Sequence, residues 1–154
     1  HFWHAKLSQI YVTLKALEEE GLVESRLEEQ IERPDKRNYQ ITAKGQSELS
    51  RWLALPDVSL SPKKETIILK LFFSARLERE NLLAQLRLQR DLHRQQQDYY
   101  RNVTPRAIQA AGTEFAGLAK DVLLWEATRQ FGEDYEALYV RWLEDCIQLV
   151  KKQF

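Results

Sequence analysis

The sequence is poor in glycine, proline and cysteine. Its 154 residues include five glycines, four prolines and a single cysteine, Cys146. Because glycine and proline interrupt helices, their scarcity favours helices over an all-strand fold. One cysteine excludes an internal disulfide and fits a reducing, cytoplasmic location. No apolar run is long enough to span a bilayer, and the composition is that of a folded globular protein.

The sequence also has no excess of basic over acidic residues. The whole chain has 23 Lys and Arg against 23 Asp and Glu. Residues 1–55 contain eight basic and nine acidic side chains, a difference of minus one. A neutral chain neither supports nor excludes nucleic-acid binding, because a local basic patch is sufficient for it.

Residues for catalysis or metal binding are scarce. The histidines are His1, His4 and His93, and the first two have no cysteine or acid close by in sequence to complete a zinc site. Cys146 lies on an apolar helical stripe, where a small buried side chain is typical. The sequence contains no glycine-rich phosphate loop and no nucleophile elbow. We expect neither enzymatic activity nor a metal or other cofactor.

The N-terminal part contains a helix followed by a β-hairpin. Leu7, Ile10, Leu14 and Leu17 recur at helical spacing, and Gly21 is placed to end that helix. Residues 22–30 and 37–41 are predicted strands, and the Pro-Asp turn between them predicts a hairpin. Thr42 is the predicted N-cap of a second helix that extends to about residue 53. We expect this helix to bury Leu49, Trp52 and Leu53.

The C-terminal part is helical by pattern. Residues 55–62 contain two prolines and two serines, and we place a domain boundary there, which gives domains at 1–55 and 56–154. Predicted helices cover residues 64–73, 77–100, 107–131 and 134–152. A loop is predicted at 102–105, and Gly132 is predicted to end the third of these helices.

Four aromatic residues are expected on facing helices of this part. They are Trp125, Tyr135, Tyr139 and Trp142. Large aromatic side chains at helical spacing usually fill a core or a dimer interface, and we favour that interpretation. The alternative is a pocket for a small, flat aromatic effector.

The first helix and the hairpin together predict a DNA-binding surface. Polar side chains on the helix face opposite the apolar stripe can bond base edges or phosphates, although such a face is more often simply solvated. A basic hairpin tip suits the phosphate backbone and makes the combination more specific than either part. The candidate contacts are Ser8, Gln9, Thr13 and Lys15 on the helix and Arg33, Lys36, Arg37 and Asn38 on the hairpin.

Several segments resemble transcriptional regulators of the PadR family. Phe2-Trp3, residues 8–11 and the run Leu17-Glu18-Glu19-Glu20-Gly21-Leu22-Val23 are similar to the family's recognition-helix segment. Arg33-Pro34-Asp35-Lys36-Arg37-Asn38-Tyr39-Gln40-Ile41-Thr42 with Gly45 resembles its wing. Trp52-Leu53 and residues 69–73 are similar to the branch with a long helical C-terminal domain, like the virulence activator AphA.

The resemblance implies a mainly α fold with a small β-hairpin: a winged helix-turn-helix followed by an α-helical dimerisation domain. It implies a homodimer that binds a pseudo-palindromic operator in double-stranded DNA and acts as a repressor, and some relatives sense phenolic acids. By carry-over, Ser8, Gln9, Tyr11 and Lys15 contact DNA from the helix, and Arg33, Lys36 and Arg37 from the wing. The family's first two helices have no counterpart before His1, so we expect further N-terminal residues. The alternative function is a helical protein–protein interaction module that does not bind DNA.

Overall fold

The computed structural model describes residues 6–28, 36–60, 65–114 and 117–154. The chain forms two compact units, His1–Pro62 and Lys63–Phe154. Their division lies at the far end of the proline-containing segment 55–62, whereas the sequence pattern predicts a division after residue 55. The elements in chain order are α1 (Leu7–Glu19), β1 (Val23–Glu28), β2 (Lys36–Ile41), α2 (Ala43–Ala54), α3 (Thr66–Phe72), a 3₁₀ turn (Ser74–Arg76), α4 (Arg79–Asn102), α5 (Thr104–Glu114) and α6 (Ala119–Gln153).

Helix α1 ends at the predicted glycine. Gly21 has a φ of 69°, a left-handed conformation that glycine adopts without steric strain. Its N–H donates to the Glu18 carbonyl at 2.9 Å, and the Leu22 N–H donates to the Leu17 carbonyl at 2.8 Å. This pair of bonds is the Schellman motif, which satisfies carbonyls at the end of a helix and directs the chain into β1.

The hairpin and the second helix follow as predicted. Strands β1 and β2 pair antiparallel, with Val23 opposite Ile41 and Leu27 opposite Arg37. Thr42 caps α2, because its Oγ1 accepts from the Gly45 N–H at 3.0 Å. A Cβ on Gly45 would lie 2.0 Å from the Leu22 carbonyl oxygen, so the close approach of these two segments requires glycine there.

The predicted burial on α2 is wrong. Leu49, Trp52 and Leu53 are 46%, 64% and 67% exposed, and on α1 Leu7 and Ile10 are 65% and 41% exposed. A helical stripe is buried only if another element covers it. In the described part of this unit, two helices and a hairpin leave these positions uncovered.

The helical unit has its core between α4 and α6, with α3 contributing one residue. The core residues are Ile67, Leu82, Leu83, Leu86, Tyr139, Leu143, Ile147 and Val150. On α6 the last four of these recur at intervals of four, four and three residues, which is the spacing of a single helical face.

The helix boundaries around α5 differ from the prediction. Asn102 ends α4 and Thr104 begins α5, so the predicted loop at 102–105 is wrong. Pro105 fits in the first turn of α5, where a backbone N–H would have no helical partner. The predicted helix at 107–131 is also wrong, because α5 ends at Glu114 and α6 begins at Ala119.

Gly132 does not end a helix. It lies inside α6, which continues to Gln153. An added Cβ would come within 2.7 Å of Cζ of Tyr100, a buried residue on α4. The glycine therefore permits close packing of α6 against an aromatic ring, a role that its local sequence does not distinguish from that of a helix terminator.

Candidate nucleic-acid interface

The candidate residues of α1 form an accessible polar surface. Ser8, Gln9, Tyr11, Thr13 and Lys15 are all exposed. Ser8, Tyr11 and Lys15 follow one another at three- and four-residue spacing, so they lie along one side of the helix. The side chain of Lys15 is 78% exposed and lies 3.8 Å from Glu19 on the same helix. An ion pair so exposed exchanges its partner at little cost, which leaves Lys15 available to a phosphate.

Gln9 has a local role at the start of α1. Its Oε1 accepts from the Lys6 backbone N–H at 3.1 Å. This bond satisfies a backbone donor at the helix N-terminus in the manner of one half of a capping box. A base contact by Gln9 would therefore compete with helix capping.

The structure separates the candidate residues of the hairpin onto two faces. Successive side chains of a strand point to opposite sides. Arg37 lies on the side of α1, with its Nη1 4.0 Å from Glu18 Oε2. Asn38 lies on the other side, where its Nδ2 donates to Glu28 at 2.8 Å, and Lys36 shares that side and is exposed. Arg33 and most of the predicted turn lie outside the described residues.

The contacts of two charged residues, Glu18 and Arg129, were not predicted from the sequence. Glu18 contacts both strands of the hairpin through Ser25 and Arg37. Arg129 is buried in the helical unit and donates to the Tyr100 carbonyl at 3.1 Å. The spacing of Glu126, Arg129 and Glu133 on one helix is a pattern that could have indicated the second of these.

Arg129, itself buried, is the centre of a partly exposed ion network. It donates to Glu126 at 2.7 Å and to Glu133 at 2.6 Å. The hydrogen bonds that Arg129 donates to Glu126 and then to Glu133 raise its pKa. Hydrogen bonds from Arg129 and then Arg101 lower the pKa of Glu133. The network holds α4 against α6, and its groups are satisfied by one another.

The four aromatic residues do not lie on facing helices. All of them are on α6, because Gly132 does not divide it. The rings of Tyr135 and Tyr139 are 5.2 Å apart and those of Tyr139 and Trp142 are 5.8 Å apart. Trp125 precedes Tyr135 by roughly 15 Å of helix, at about 1.5 Å per residue. Tyr135, Tyr139 and Trp142 therefore pack as one cluster, and Trp125 lies about three turns earlier on the same helix.

The two tyrosines of that cluster, Tyr135 and Tyr139, both have a raised pKa. Burial raises the pKa of Tyr135, whose hydroxyl donates to Glu65 at 2.7 Å. Burial likewise raises the pKa of Tyr139, whose ring stacks on His93 at 4.2 Å. Both phenols are thus neutral packing groups at physiological pH.

Two other kinds of site are not found in the described residues. No group of three or more His, Cys, Asp or Glu side chains in these ranges is arranged to hold a metal ion. No described helix is both long and apolar enough to cross a membrane.

The arrangement of the N-terminal unit defines its class. An exposed helix followed at once by an antiparallel hairpin and a capped helix is that of a winged-helix domain, a variant of the helix-turn-helix. In this chain a winged-helix unit precedes a helical unit.

Comparison with known families then identifies the chain. Residues 1–51 match the model of the transcriptional regulator PadR-like family. Residues 63–151 match the model described as virulence activator alpha C-term, which covers more than half of the chain. Because this second model covers more than half of the chain, the chain belongs to the family with the virulence activator alpha C-terminal domain, and its N-terminal part is PadR-like, as its sequence motifs predicted.

Two characterised sequences are similar to parts of the chain. The probable transcriptional regulator Rv1176c of Mycobacterium tuberculosis is 42% identical over 64 residues, which are 42% of this chain and 32% of that protein. The negative transcriptional regulator PadR of Bacillus subtilis is 37% identical over 79 residues, 51% of this chain and 43% of that protein. The matched segments thus span less than half the length of either relative.

Solved structures match nearly the whole chain. B. subtilis PadR in complex with operator DNA has a TM-score of 0.73 and 26% identity, covering 97% of this chain and 82% of that one. The same protein has been solved with p-coumaric acid, with a TM-score of 0.70, 24% identity and coverage of 97% and 81%. The Vibrio cholerae virulence activator AphA has a TM-score of 0.66 and 23% identity, with coverage of 99% and 82%. The predicted mainly α, winged-helix fold is confirmed.

Proposed function

We propose that the protein is a cytoplasmic DNA-binding repressor that acts as a homodimer on a pseudo-palindromic operator. The observation that carries the proposal is the exposed polar side of α1, which adjoins a hairpin with cationic side chains. The likeness to a PadR structure solved with operator DNA supports it.

The chemistry of the interface divides between helix and hairpin. Helix α1 enters the major groove, where Ser8, Tyr11 and Lys15 face base edges and phosphates. Lys36 and Arg37 lie on opposite sides of the hairpin, so they contact different phosphates or strands of the duplex. Because the chain has no net charge, affinity depends on these few local cations.

Lys15→Ala tests the role of α1. Removing one phosphate contact should lower the slope of log Kd against log salt by about one and weaken binding several-fold at low salt. Fluorescence anisotropy with a labelled duplex from upstream of the protein's own gene measures both quantities.

Arg51→Ala is the matched control for that experiment. It removes one exposed cation from the same unit, but from α2, where Arg51 pairs with Glu48 at 2.5 Å. Its salt slope should equal that of the wild type. Equal slopes for all three proteins would contradict the placement of α1 on DNA, and no binding by the wild type at low salt would favour the protein–protein interaction module instead.

The homodimer is proposed to form through α6. Leu124, Phe131, Leu138 and Leu149 are 64%, 68%, 49% and 60% exposed. Their spacings of seven, seven and eleven residues place them on one side of the helix, beside the buried face. An exposed apolar stripe along a 35-residue helix marks an interaction surface. A second copy supplies the same stripe, as a two-fold interface requires.

Leu138→Lys should shift the protein from dimer to monomer, since it places a charge in the middle of this stripe. Light scattering across a concentration series measures the mass. Gln148→Lys adds the same charge to the same helix at an exposed position on the side opposite Tyr139, and it should stay dimeric. A dimeric Leu138→Lys protein would place the interface elsewhere.

A small aromatic effector is also proposed as a ligand, since B. subtilis PadR has been solved with p-coumaric acid.

For Tyr135, Tyr139 and Trp142 we propose a packing role in the helical unit. Their mutual ring contacts and burial support that role.

A further inference from the structure

The carboxylate of Glu18 contacts both strands of the hairpin. Its Oε1 accepts from the Ser25 hydroxyl on β1 at 2.5 Å, and its Oε2 lies 4.0 Å from Arg37 Nη1 on β2. In the strand register Ser25 is opposite Tyr39 and Leu27 is opposite Arg37. Ser25 and Arg37 therefore share one face of the hairpin, and Glu18 lies against that face.

The neighbouring glutamates do not share these contacts. Glu19 is 68% exposed at its side chain and pairs with Lys15 within α1, whereas the side chain of Glu18 is 33% exposed. Glu20 is the C-cap residue, and its carbonyl oxygen accepts from Lys44 at 2.6 Å. Among these three glutamates, the described contacts to the hairpin belong to Glu18.

An isolated two-stranded hairpin has marginal stability in water, so its orientation depends on what it packs against. Glu18 is on the helix that carries Ser8, Tyr11 and Lys15. It accepts a hydrogen bond from Ser25 on β1 and is an ion-pair neighbour of Arg37 on β2. A contact of this kind fixes the distance between the two DNA-binding elements before DNA arrives, which reduces the ordering required on binding.

We propose that Glu18 is a positioning residue of the DNA interface. It holds the hairpin at a set distance from α1 and orients the Arg37 guanidinium while balancing its charge. The inference rests on the proposed DNA binding. It accounts for the presence of a carboxylate beside Arg37, because an unpaired negative charge at this position would oppose DNA binding.

Three variants test this role: Glu18→Ala, Glu18→Gln and Glu19→Ala. Glu18→Ala removes the hydrogen bond and the charge, and should weaken binding of the labelled upstream duplex roughly fivefold, as expected for the loss of one typical intramolecular hydrogen bond. Glu18→Gln keeps an acceptor for Ser25 and should recover part of that loss. Glu19→Ala removes the same charge from the next position and should bind as well as the wild type or more tightly.

Amide hydrogen exchange on the free protein gives a second, DNA-independent result. Glu18→Ala should speed exchange across β1 and β2, and Glu19→Ala should not. Unchanged exchange in Glu18→Ala would overturn the proposal. So would equally tight or tighter binding by both alanine variants, because Glu18 would then act only as a negative charge. No DNA binding by the wild type would refute the proposed function, and exchange would still decide whether Glu18 positions the hairpin.

Discussion

Gly132→Ala is expected to lower the free energy of unfolding of the helical unit by about 1–3 kcal/mol, the usual cost of overpacking a well-packed core. The new Cβ would lie 2.7 Å from Cζ, 2.9 Å from Cε1 and 3.0 Å from Cε2 of Tyr100. Tyr100 is 6% exposed and Gly132 is buried, so the ring has little room to move. Urea unfolding followed by circular dichroism measures the change.

The predicted loss of stability is opposite in sign to the change that helix propensity alone would give. Alanine is about 1 kcal/mol better than glycine inside a helix, so an unpacked position would gain stability. Ala127→Gly, at an exposed position of α6, measures that propensity in the same helix. A stability gain in Gly132→Ala equal to the loss in Ala127→Gly would show that Tyr100 moves aside and that the contact does not restrain α6.

The second large effect is expected at Leu143. This side chain has no exposed surface and lies in the core between α4 and α6. Leu143→Ala removes three carbon atoms and leaves a cavity, so we expect a loss of about 2–5 kcal/mol in the free energy of unfolding. The same urea titration applies.

Leu123→Ala is the matched control for Leu143→Ala. It removes the same atoms from the same helix, but Leu123 is 70% exposed, and its loss should stay below about 1 kcal/mol. Similar losses in the two variants would mean that α6 does not contribute its Leu143 face to the core.

Local chemistry made the N-terminal unit predictable. The bonds by which Gly21 ends α1 and Thr42 caps the N-terminus of α2 are to backbone groups within a few residues. The strands could be predicted because turn residues separate two short apolar-polar alternations. The candidate DNA-binding residues of α1 are exposed, as are Leu7 and Ile10 of its apolar stripe.

The helical unit was less predictable, and Gly132 is the main reason. A glycine near the end of a helical pattern is typical of a C-cap, but the same residue type also permits close packing. Because Gly132 was interpreted as a C-cap, the prediction divided α6 into two helices and placed Trp125 on a different helix from Tyr135. The choice depends on Tyr100, which lies more than thirty residues earlier in the chain.

Tertiary contacts also decided which face of the hairpin is covered and which glutamate contacts it. Alternation along β2 puts Arg37 and Lys36 on opposite faces, but only the position of α1 determines which face is covered. Glu18 belongs to a run of three similar glutamates that the sequence alone does not distinguish. Its contacts to Ser25 and Arg37 arise when the hairpin folds back against α1.

The single cysteine by itself excluded an internal disulfide, and the scarcity of glycine and proline together with helical spacing of apolar residues predicted a mainly helical chain. The motifs from the first helix to the wing determined the family. Only the tertiary structure decided which glycine ends a helix and which accommodates a ring, which apolar stripes are covered, and which carboxylate holds the hairpin. The physical reason is the range of the interactions: caps and turns act within a few residues, whereas packing depends on partners distant in the sequence.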